Sequence, residues 1–523
     1  MRVVMVAPWG SARCGLRTYA KYLAEELSRH VELWVVPHYR YAQPDKQYAR
    51  WLARRVNGLK PDIVHVMHEY GIWNPWDPSV FLEFLRLVEG RKIITMHSTG
   101  FPVEEAVSRL VDAVIVHNRH IFGSFQGDRG KCFIIPHGCK LINMSRDAAR
   151  RRLAIKPSTY LIGVFGFIDS RKGHDVALEA FSRLRKSGVD AEMVFVGGWH
   201  SGNPTPYMLD IVGRAGELGV KVTGYVDDRV FEYWMAAVDV VLHPARIASE
   251  SGIVSLALGA GKPVITSSHP AFYGKPVIRA GSINELVGAL KRLANPEVRA
   301  KWSRYARRYA ELFNWERIAW LHHHLYKWIL YGDRESLIQL NGVRDAHWQL
   351  IEHDLHGSIE AIRDPIHKPR HEWIRRRMKH PCIDIGSSFG YMGCEVNVDI
   401  AYYRAKIGEL LYPDRKFIIA DAHKLPFKNG GFKQALLCEV LEHVENPLTV
   451  LREASRIAEE IIITVPDEHP PYTPSHSTEH LRFFTKESLT KLIEKAGLEI
   501  VEYEHIVNKE LNYAWHCLVA RGR

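Results

Sequence analysis

The chain has 523 residues, 46% hydrophobic and 25% charged, which is too long for one hydrophobic core and has the balance of an ordinary soluble globular protein. Its formal net charge of +11 favours anionic partners such as sugar nucleotides, lipid phosphates, a membrane surface or nucleic acid. No apolar run approaches the ~18–20 residues of a membrane span, and seven dispersed cysteines without a CxxC pair point to buried, reduced thiols in a cytosol and not to a disulfide framework.

The opening residues, Met-Arg-Val-Val-Met-Val-Ala-Pro, read as a strand and not as a signal peptide. The loop Gly10-Ser-Ala-Arg-Cys-Gly15 and an amphipathic helix from Leu16 to about Ser28 follow. Further apolar runs at 31–36, 63–66, 92–95, 113–116 and 132–135 alternate with helical patterns, which argues a parallel, doubly wound sheet. Ligands of such sheets bind at the carboxyl ends of the strands. Histidines collect there: His65 and His68, His97, His117 and His137. One histidine is more often structural than catalytic, but several at successive strand ends point to a lined cleft.

A second set of strands starts at 161–166 and continues at 192–196, 221–223 and 240–242, with Val264-Ile265 at the end of the segment that follows. Arg171 and Lys172 stand at a loop-to-helix junction, where cations and free helix amides together stabilise a diphosphate. Ser249-Glu250-Ser251-Gly252 opens a helix-like stretch that ends Gly259-Ala-Gly261-Lys262-Pro263.

In their order, these pieces resemble glycosyltransferases of the GT-B fold, in particular glycosyltransferase family 4, over about residues 1–330. The resemblance rests on Cys14-Gly15-Leu-Arg-Thr-Tyr19, Gly166…Arg171-Lys172-Gly173, Gly224-Tyr-Val-Asp-Asp228, Asp239-Val-Val-Leu-His-Pro244, Glu250-Ser-Gly…Gly261-Lys-Pro and Leu312-Phe-Asn-Trp315-Glu316. It implies an acceptor domain at 1–145 and a sugar-nucleotide domain at 146–330, whose tail helix crosses back to the first. It also implies that Gly15, Arg171, Lys172, Glu250, Ser251 and Gly252 bind a nucleotide-sugar. Arg171 and Lys172 would neutralise the leaving diphosphate, Glu250 would hold donor hydroxyls, and His97 would line the acceptor side. Transfer with retention and without a bound metal is implied, and no Asp-x-Asp motif ends a strand. Two positions depart from the family: Phe167 stands where an arginine is usual, and Leu258 where a second glutamate is.

Residues 331–370 read as a join, with turn signals at Gly332-Asp-Arg, Asn341-Gly342 and Asp364-Pro365. Asp345 is expected to cap a helix running to about Ile362, with Gly357 inside it. A basic helix at 371–378 carries Arg375-Arg376-Arg377, either a solvated face or a contact for lipid phosphate. His322-His-His324 point in different directions around a helix, which argues against one metal site there.

From 371 to 523 a third strand series appears. Cys382-Ile-Asp-Ile385 is a strand, Gly386 and Gly390 give a tight turn where the backbone can approach a ligand, and Asp399 closes the next strand, where a carboxylate can bond ribose hydroxyls. Strands at 416–420, 434–438 and 460–465 and a terminal hairpin at 499–505 and 514–520 complete it. Asp384-Ile-Gly-Ser-Ser-Phe-Gly390, Asp421-Ala422, Leu425-Pro-Phe-Lys-Asn-Gly-Gly-Phe432…Val440-Leu-Glu-His-Val444 and Glu479-His480-Leu-Arg482 together resemble class I S-adenosylmethionine-dependent methyltransferases. The resemblance implies S-adenosyl-L-methionine as methyl donor, held by Asp384, Gly386, Gly390, Asp399, Asp421 and Ala422. Ser388 replaces the usual central glycine, and only eight residues separate Gly390 from Asp399, so the helix expected there is nearly absent. Methylation of a sugar hydroxyl needs a general base, for which His443 and His480 are the candidates. Glu439, Glu442 and His443 share one face if that segment is helical; His480 and Arg482 are alternatively placed to bind an acceptor phosphate.

The fold class expected is therefore α/β, a GT-B pair of Rossmann-like domains followed by a class I methyltransferase domain. The implied function is sugar addition to a glycan or lipid-linked acceptor plus O-methylation of the product, in the cytoplasm, with peripheral contact at the inner face of the cell membrane allowed. Alternatives are a methyltransferase with an inactive glycan-binding half, or a nucleic-acid methyltransferase, for which no base-flipping or RNA-recognition motif is present.

Overall fold

The computed structural model describes residues 1–523 except 11–13, 39–43, 75, 200–202, 357–366, 473–479, 510–511 and 523. Of the sequence expectations, loop positions 11–13, Gly357, the helix end near Ile362, the turn at 364–366 and Glu479 lie outside the described residues. The chain forms two compact units, Met1–Leu340 and Asn341–Arg523. No helix among the described residues is long and apolar enough to cross a membrane.

The first unit holds two parallel sheets. Strands β1 (Arg2–Ala7), β2 (Glu32–Pro37), β3 (Ile63–His68), β4 (Arg91–Met96), β5 (Ala113–Val116) and β6 (Cys132–Ile134) are ordered β2-β1-β3-β4-β5-β6. Strands β7 (Leu161–Phe165), β8 (Glu192–Val196), β9 (Lys221–Val222), β10 (Val240–His243), β11 (Val264–Ser267) and β12 (Ile278–Ala280) are ordered β12-β11-β10-β7-β8-β9. The inner strands are buried on both faces, which is why they read as continuous apolar runs. The short edge strand β12 has no such run and was not expected from the sequence. The helix Trp315–Tyr331 packs on the helix Gly15–Leu27, and its Tyr326 hydroxyl meets His65 Nδ1 at 2.7 Å, so the tail helix does cross back to the first sheet.

One buried ion pair ties β7 to β10. Asp239, just ahead of β10, accepts from the Leu161 amide at 2.8 Å, from Arg150 at 2.7 Å and from Arg146 at 2.8 Å. The remaining Arg150 donors go to the carbonyls of Ala237, Lys156, Pro157 and Thr159.

The second unit is a seven-stranded mixed sheet: β13 (Cys382–Ile385), β14 (Val396–Asp399), β15 (Lys416–Ile419), β16 (Phe432–Cys438), β17 (Ala458–Pro466), β18 (Leu498–Asn508) and β19 (Tyr513–Gly522). The order is β15-β14-β13-β16-β17-β19-β18, parallel except for β19, which runs antiparallel to both β17 and β18. No helix separates β13 from β14. Cys394 lies beside Cys382, and the two form a disulfide with a Cα–Cα distance of 5.1 Å. The expectation of wholly reduced thiols therefore fails at this pair, which the parallel pairing of β13 with β14 sets side by side; Cys14, Cys132, Cys139, Cys438 and Cys517 are free.

The join also differs from expectation. One helix runs from Arg334 to His356, so Asp345 lies inside it and caps nothing. Its carboxylate instead pairs with Arg404 at 2.6 Å. The basic helix spans Lys368–Arg375, and Arg377 beyond it sits over the Trp373 ring and bonds Glu502, so part of that charge is spent within the chain. His322 and His324 bond Ile318 and Ser336 separately.

Removing one partner of a buried, fully hydrogen-bonded ion pair leaves an uncompensated charge. Asp239→Ala is therefore expected to destabilise the first unit by about 3–5 kcal/mol in denaturant unfolding. Arg214→Ala, which removes an exposed helix-surface pair with Asp210, is expected to change it by less than about 0.5 kcal/mol.

Candidate active sites

In the first unit, the carboxyl ends of both sheets supply one cluster. His97, following β4, lies with its ring centroid 4.8 Å from those of Tyr19 and His117. His137 follows β6, 5.8 Å from His117 and 5.3 Å from Trp315. Burial first, and neighbouring histidines next, push the His97 pKa well below its ordinary value; burial likewise lowers His117 to about 4. These rings are neutral at neutral pH and form an uncharged wall of tilted and edge-on contacts.

The second sheet meets this wall at Glu250. His137 Nε2 lies 3.4 Å from the Cβ position of Gly252, which begins the helix Gly252–Gly259. Ser251 caps that helix through the Val254 amide and bonds His243 Nε2 at 3.1 Å. The buried Glu250 carboxylate accepts from the Ser251 amide at 2.8 Å and from Asn118 Nδ2 at 3.3 Å, and it forms an ion pair with Lys275. Burial raises its pKa, but Lys275, His137 and His117 outweigh burial and hold it at about 2. Lys275 was not singled out from the sequence. It sits in a Gly-Lys-Pro loop with no periodic signal, and only the folded chain places it against Glu250.

The candidate phosphate loop is built around Gly166. Its φ of +100° suits glycine, and a side chain there would begin 2.7 Å from Lys172 Nζ. Lys172 is also within 5.9 Å of the Phe167 ring centroid, so an aromatic face takes the place of the family arginine. Burial lowers the Lys172 pKa. Ile253 approaches the same spot at 3.9 Å, which joins the Gly166–Lys172 loop to the Glu250 segment. Arg171 does not join them: its exposed guanidinium folds back onto Asp169 at 2.7 Å. Gly15 is exposed at the first turn of its helix, with open space where a Cβ would stand.

In the second unit, Asp384 lies buried within β13, one residue before its end, and burial followed by the nearby Asp399 raises its pKa to about 7. Gly386 and Gly390 both have positive φ, and side chains there would strike Val440 and Phe417. The close approach these glycines permit is thus to the chain's own side chains. Ser388 adopts φ +51°, in the left-handed region that favours glycine, and its amide donates to Asp399 Oδ2 at 2.8 Å. The Ala401 amide donates to the other oxygen at 2.8 Å. Asp421 lies beyond the neighbouring strand, bonded to the amide and ring of His423, whose Nε2 accepts from the Asn446 amide at 3.2 Å. Ala422 packs on the core beside it.

The two candidate bases are brought together. His443 and His480 lie with ring centroids 4.7 Å apart, and Glu442, His443 and His480 offer ligand atoms within 4.8 Å of one another. His480 Nδ1 is held by Glu468 Oε2 at 2.8 Å. The 439–445 segment is a turn and not a helix, because Glu439 takes φ +59°. The helical spacing expected for Glu439, Glu442 and His443 therefore does not apply. Glu439 bonds Trp515 Nε1 at 2.6 Å, with Arg370 at 3.5 Å. Burial and Glu439 raise the Glu442 pKa, and neither of its carboxyl oxygens has a hydrogen-bond partner among the described residues. Arg482 donates to the carbonyls of Leu441, Val444 and Glu445. Its guanidinium braces the turn, and the phosphate role considered for it is replaced by this one.

Comparison with known proteins separates the same two regions. Residues 159–295 match the family model "Glycosyl transferases group 1", and residues 386–460 match the model "Methyltransferase domain". A D-inositol 3-phosphate glycosyltransferase of Saccharomonospora viridis is 33% identical over 194 residues, 33% of this chain and 44% of the relative, so less than half of that relative's length is matched. Among solved structures, HepE of Anabaena in complex with UDP and glucose aligns with a TM-score of 0.50 at 14% identity, over 62% of this chain and 99% of that one. Sucrose-phosphate synthase of Thermosynechococcus elongatus aligns with a TM-score of 0.50 at 17% identity, over 64% and 100%. At these identities the likeness concerns the fold, which is GT-B. The chain therefore carries a group 1 glycosyltransferase domain of GT-B type and, after it in sequence, a methyltransferase domain.

Proposed function

We propose that the protein is a bifunctional glycan-modifying enzyme. The first unit transfers a sugar from a nucleotide donor to a glycan or lipid-linked acceptor with retention, and the second O-methylates a sugar of the product with S-adenosyl-L-methionine. The observation that carries the reading is the presence on one chain of the Lys172–Glu250 cluster and the Asp384–Asp399 loop. Two sites on one chain raise the local concentration of the shared intermediate.

In the first unit, Lys172 faces the leaving diphosphate, and Glu250, fixed by Lys275 and Asn118, receives donor hydroxyls. His97 lines the acceptor side as a neutral ring, with Gly15, Ser251 and Gly252 giving the backbone around the donor. Arg171 adds charge once released from Asp169. A uridine nucleotide is the first donor to try, since HepE is described with UDP. Peripheral membrane contact has support in exposed Trp51, which carries Arg55 over its ring at 5.7 Å.

In the second unit, Asp399 receives the ribose of S-adenosyl-L-methionine, Asp421 and Ala422 border the adenine, and Asp384 faces the cationic methionine portion. The cofactor supplies an electrophilic methyl group; the chain's own groups position the acceptor and take its proton. His480 is the better-oriented base, because Glu468 holds Nδ1 and leaves Nε2 for the hydroxyl. His443 packs against it. A second reading, a non-catalytic glycan-binding first unit, is favoured by one observation, Phe167 over Lys172.

Three outcomes are expected. The full chain hydrolyses or transfers from a sugar nucleotide in a product assay, and Lys172→Ala abolishes this; turnover that is absent from the native chain selects the second reading. In radiolabelled methyl transfer, His480→Gln lowers the rate about 10²–10⁴-fold, Glu468→Gln lowers it less, and neither changes S-adenosylhomocysteine affinity. Because the Asp384 pKa lies at about 7, S-adenosylhomocysteine binding strengthens as pH rises through that value and the carboxylate ionises, and Asp384→Asn removes the dependence. Calorimetric titration across this range reads it.

A further inference from the structure

A second set of nitrogen and oxygen ligands converges at the carboxyl end of β17. Asp467 directly follows that strand. His505 on β18 stands opposite His516 on β19, and His516 stands opposite Val465 on β17. Directly opposed residues of an antiparallel pair carry their side chains on the same face, so three paired strands fix the three groups. His505 Nε2 lies 3.0 Å from Asp467 Oδ2, and His516 Nε2 lies 3.7 Å from the same oxygen. Ligand atoms from all three lie within 4.8 Å of one another. His469 adds Nδ1 at 3.1 Å from the other carboxylate oxygen.

Hydrogen bonds leave this cluster incomplete. His516 is 6% exposed at its side chain, yet its Nε2 has no hydrogen-bond partner among the described residues and faces the Asp467 carboxylate. A buried polar nitrogen in that state calls for a partner. Its other nitrogen is fixed by the Tyr503 hydroxyl at 2.9 Å, the arrangement by which an outer partner orients a ligating imidazole. Ligands about 2.0–2.1 Å from a tetrahedral zinc ion stand about 3.3 Å apart. The two separations at Asp467, 3.0 and 3.7 Å, straddle that spacing.

We propose that Asp467, His505 and His516 form a binding site for a divalent transition-metal ion of the zinc type, with a water molecule completing the coordination. Imidazole-rich sets suit zinc, cobalt or nickel, whereas magnesium and calcium take oxygen ligands. The site departs from the metal-free expectation drawn from the sequence. Its ion pins the terminal hairpin to the end of β17, one residue from the Glu468 that holds His480.

The test uses the full chain, stripped with chelator and titrated with Co²⁺, followed by visible absorption and calorimetry with Zn²⁺ in competition. The expected result is one saturable equivalent with four-coordinate ligand-field bands that Zn²⁺ removes. Tyr503→Phe is expected to weaken it about 10-fold to 100-fold, and His516→Ala and Asp467→Asn to weaken it more. Circular dichroism melting checks folding; if His516→Ala fails to fold, the half-exposed His505→Gln decides in the same sense. Absence of saturable uptake overturns the site. So does uptake unchanged in the folded variants, which would place the ion at Glu442, His443 and His480 or elsewhere.

Discussion

The position of the candidate donor site depends on a carboxylate at the opposite end of its strands. Asp239 receives the amide that starts β7 and immediately precedes β10. The far ends of those two strands deliver Gly166–Lys172 and, after His243, Glu250. A buried charge is tolerated only when its partners are complete, and Arg150 meets that condition by spending its donors on Asp239 and on four carbonyls. Any slip in this pairing would move both functional segments together. Three links follow in order: an acidic residue before an apolar run, a fixed strand register, and a lysine and a glutamate presented on adjoining loops.

The second unit uses backbone conformation for a similar end. Ser388 and Glu439, neither of them glycine, are held at positive φ. Such conformations are unfavourable for residues with a side chain and persist where the surroundings over-determine them. Ser388 is held by Asp399, and Glu439 by Trp515 and Arg370. Both lie at carboxyl ends of neighbouring strands, where ligands of such sheets bind.

Much of this fold was legible in the sequence because parallel strands buried on both faces leave continuous apolar runs. The glycine loops, Asp384 within β13 and Asp399 at the end of β14 were legible for the same reason: they lie in or directly after such runs. What the sequence hid were groups whose partners are distant. Lys275 reads as a loop lysine until Glu250 stands beside it. Cys382 and Cys394 read as two scattered thiols until β13 and β14 pair and set their starts side by side. Asp345 reads as a helix cap, since turn residues precede it, but a helix propagating from Arg334 overrides that local signal. Asp467 is dozens of residues from the hairpin that carries His505 and His516, and the three meet only through the antiparallel addition of β19. His443 and His480 were both visible, but the Glu468 bond that distinguishes them was not.

The Asp399 carboxylate has a further consequence for how a nucleoside is received. Each of its oxygens already accepts one backbone amide, from Ser388 on one side and Ala401 on the other. Each oxygen keeps a second lone pair. The two free acceptors are therefore locked in one plane and at one spacing before any ligand arrives, and neither needs to rotate. A vicinal diol has two hydroxyl donors at matching separation. On the proposed reading, a ribose is recognised by a carboxylate whose rotational freedom was lost during folding and not at binding, while a deoxyribose would leave one aligned acceptor without a donor.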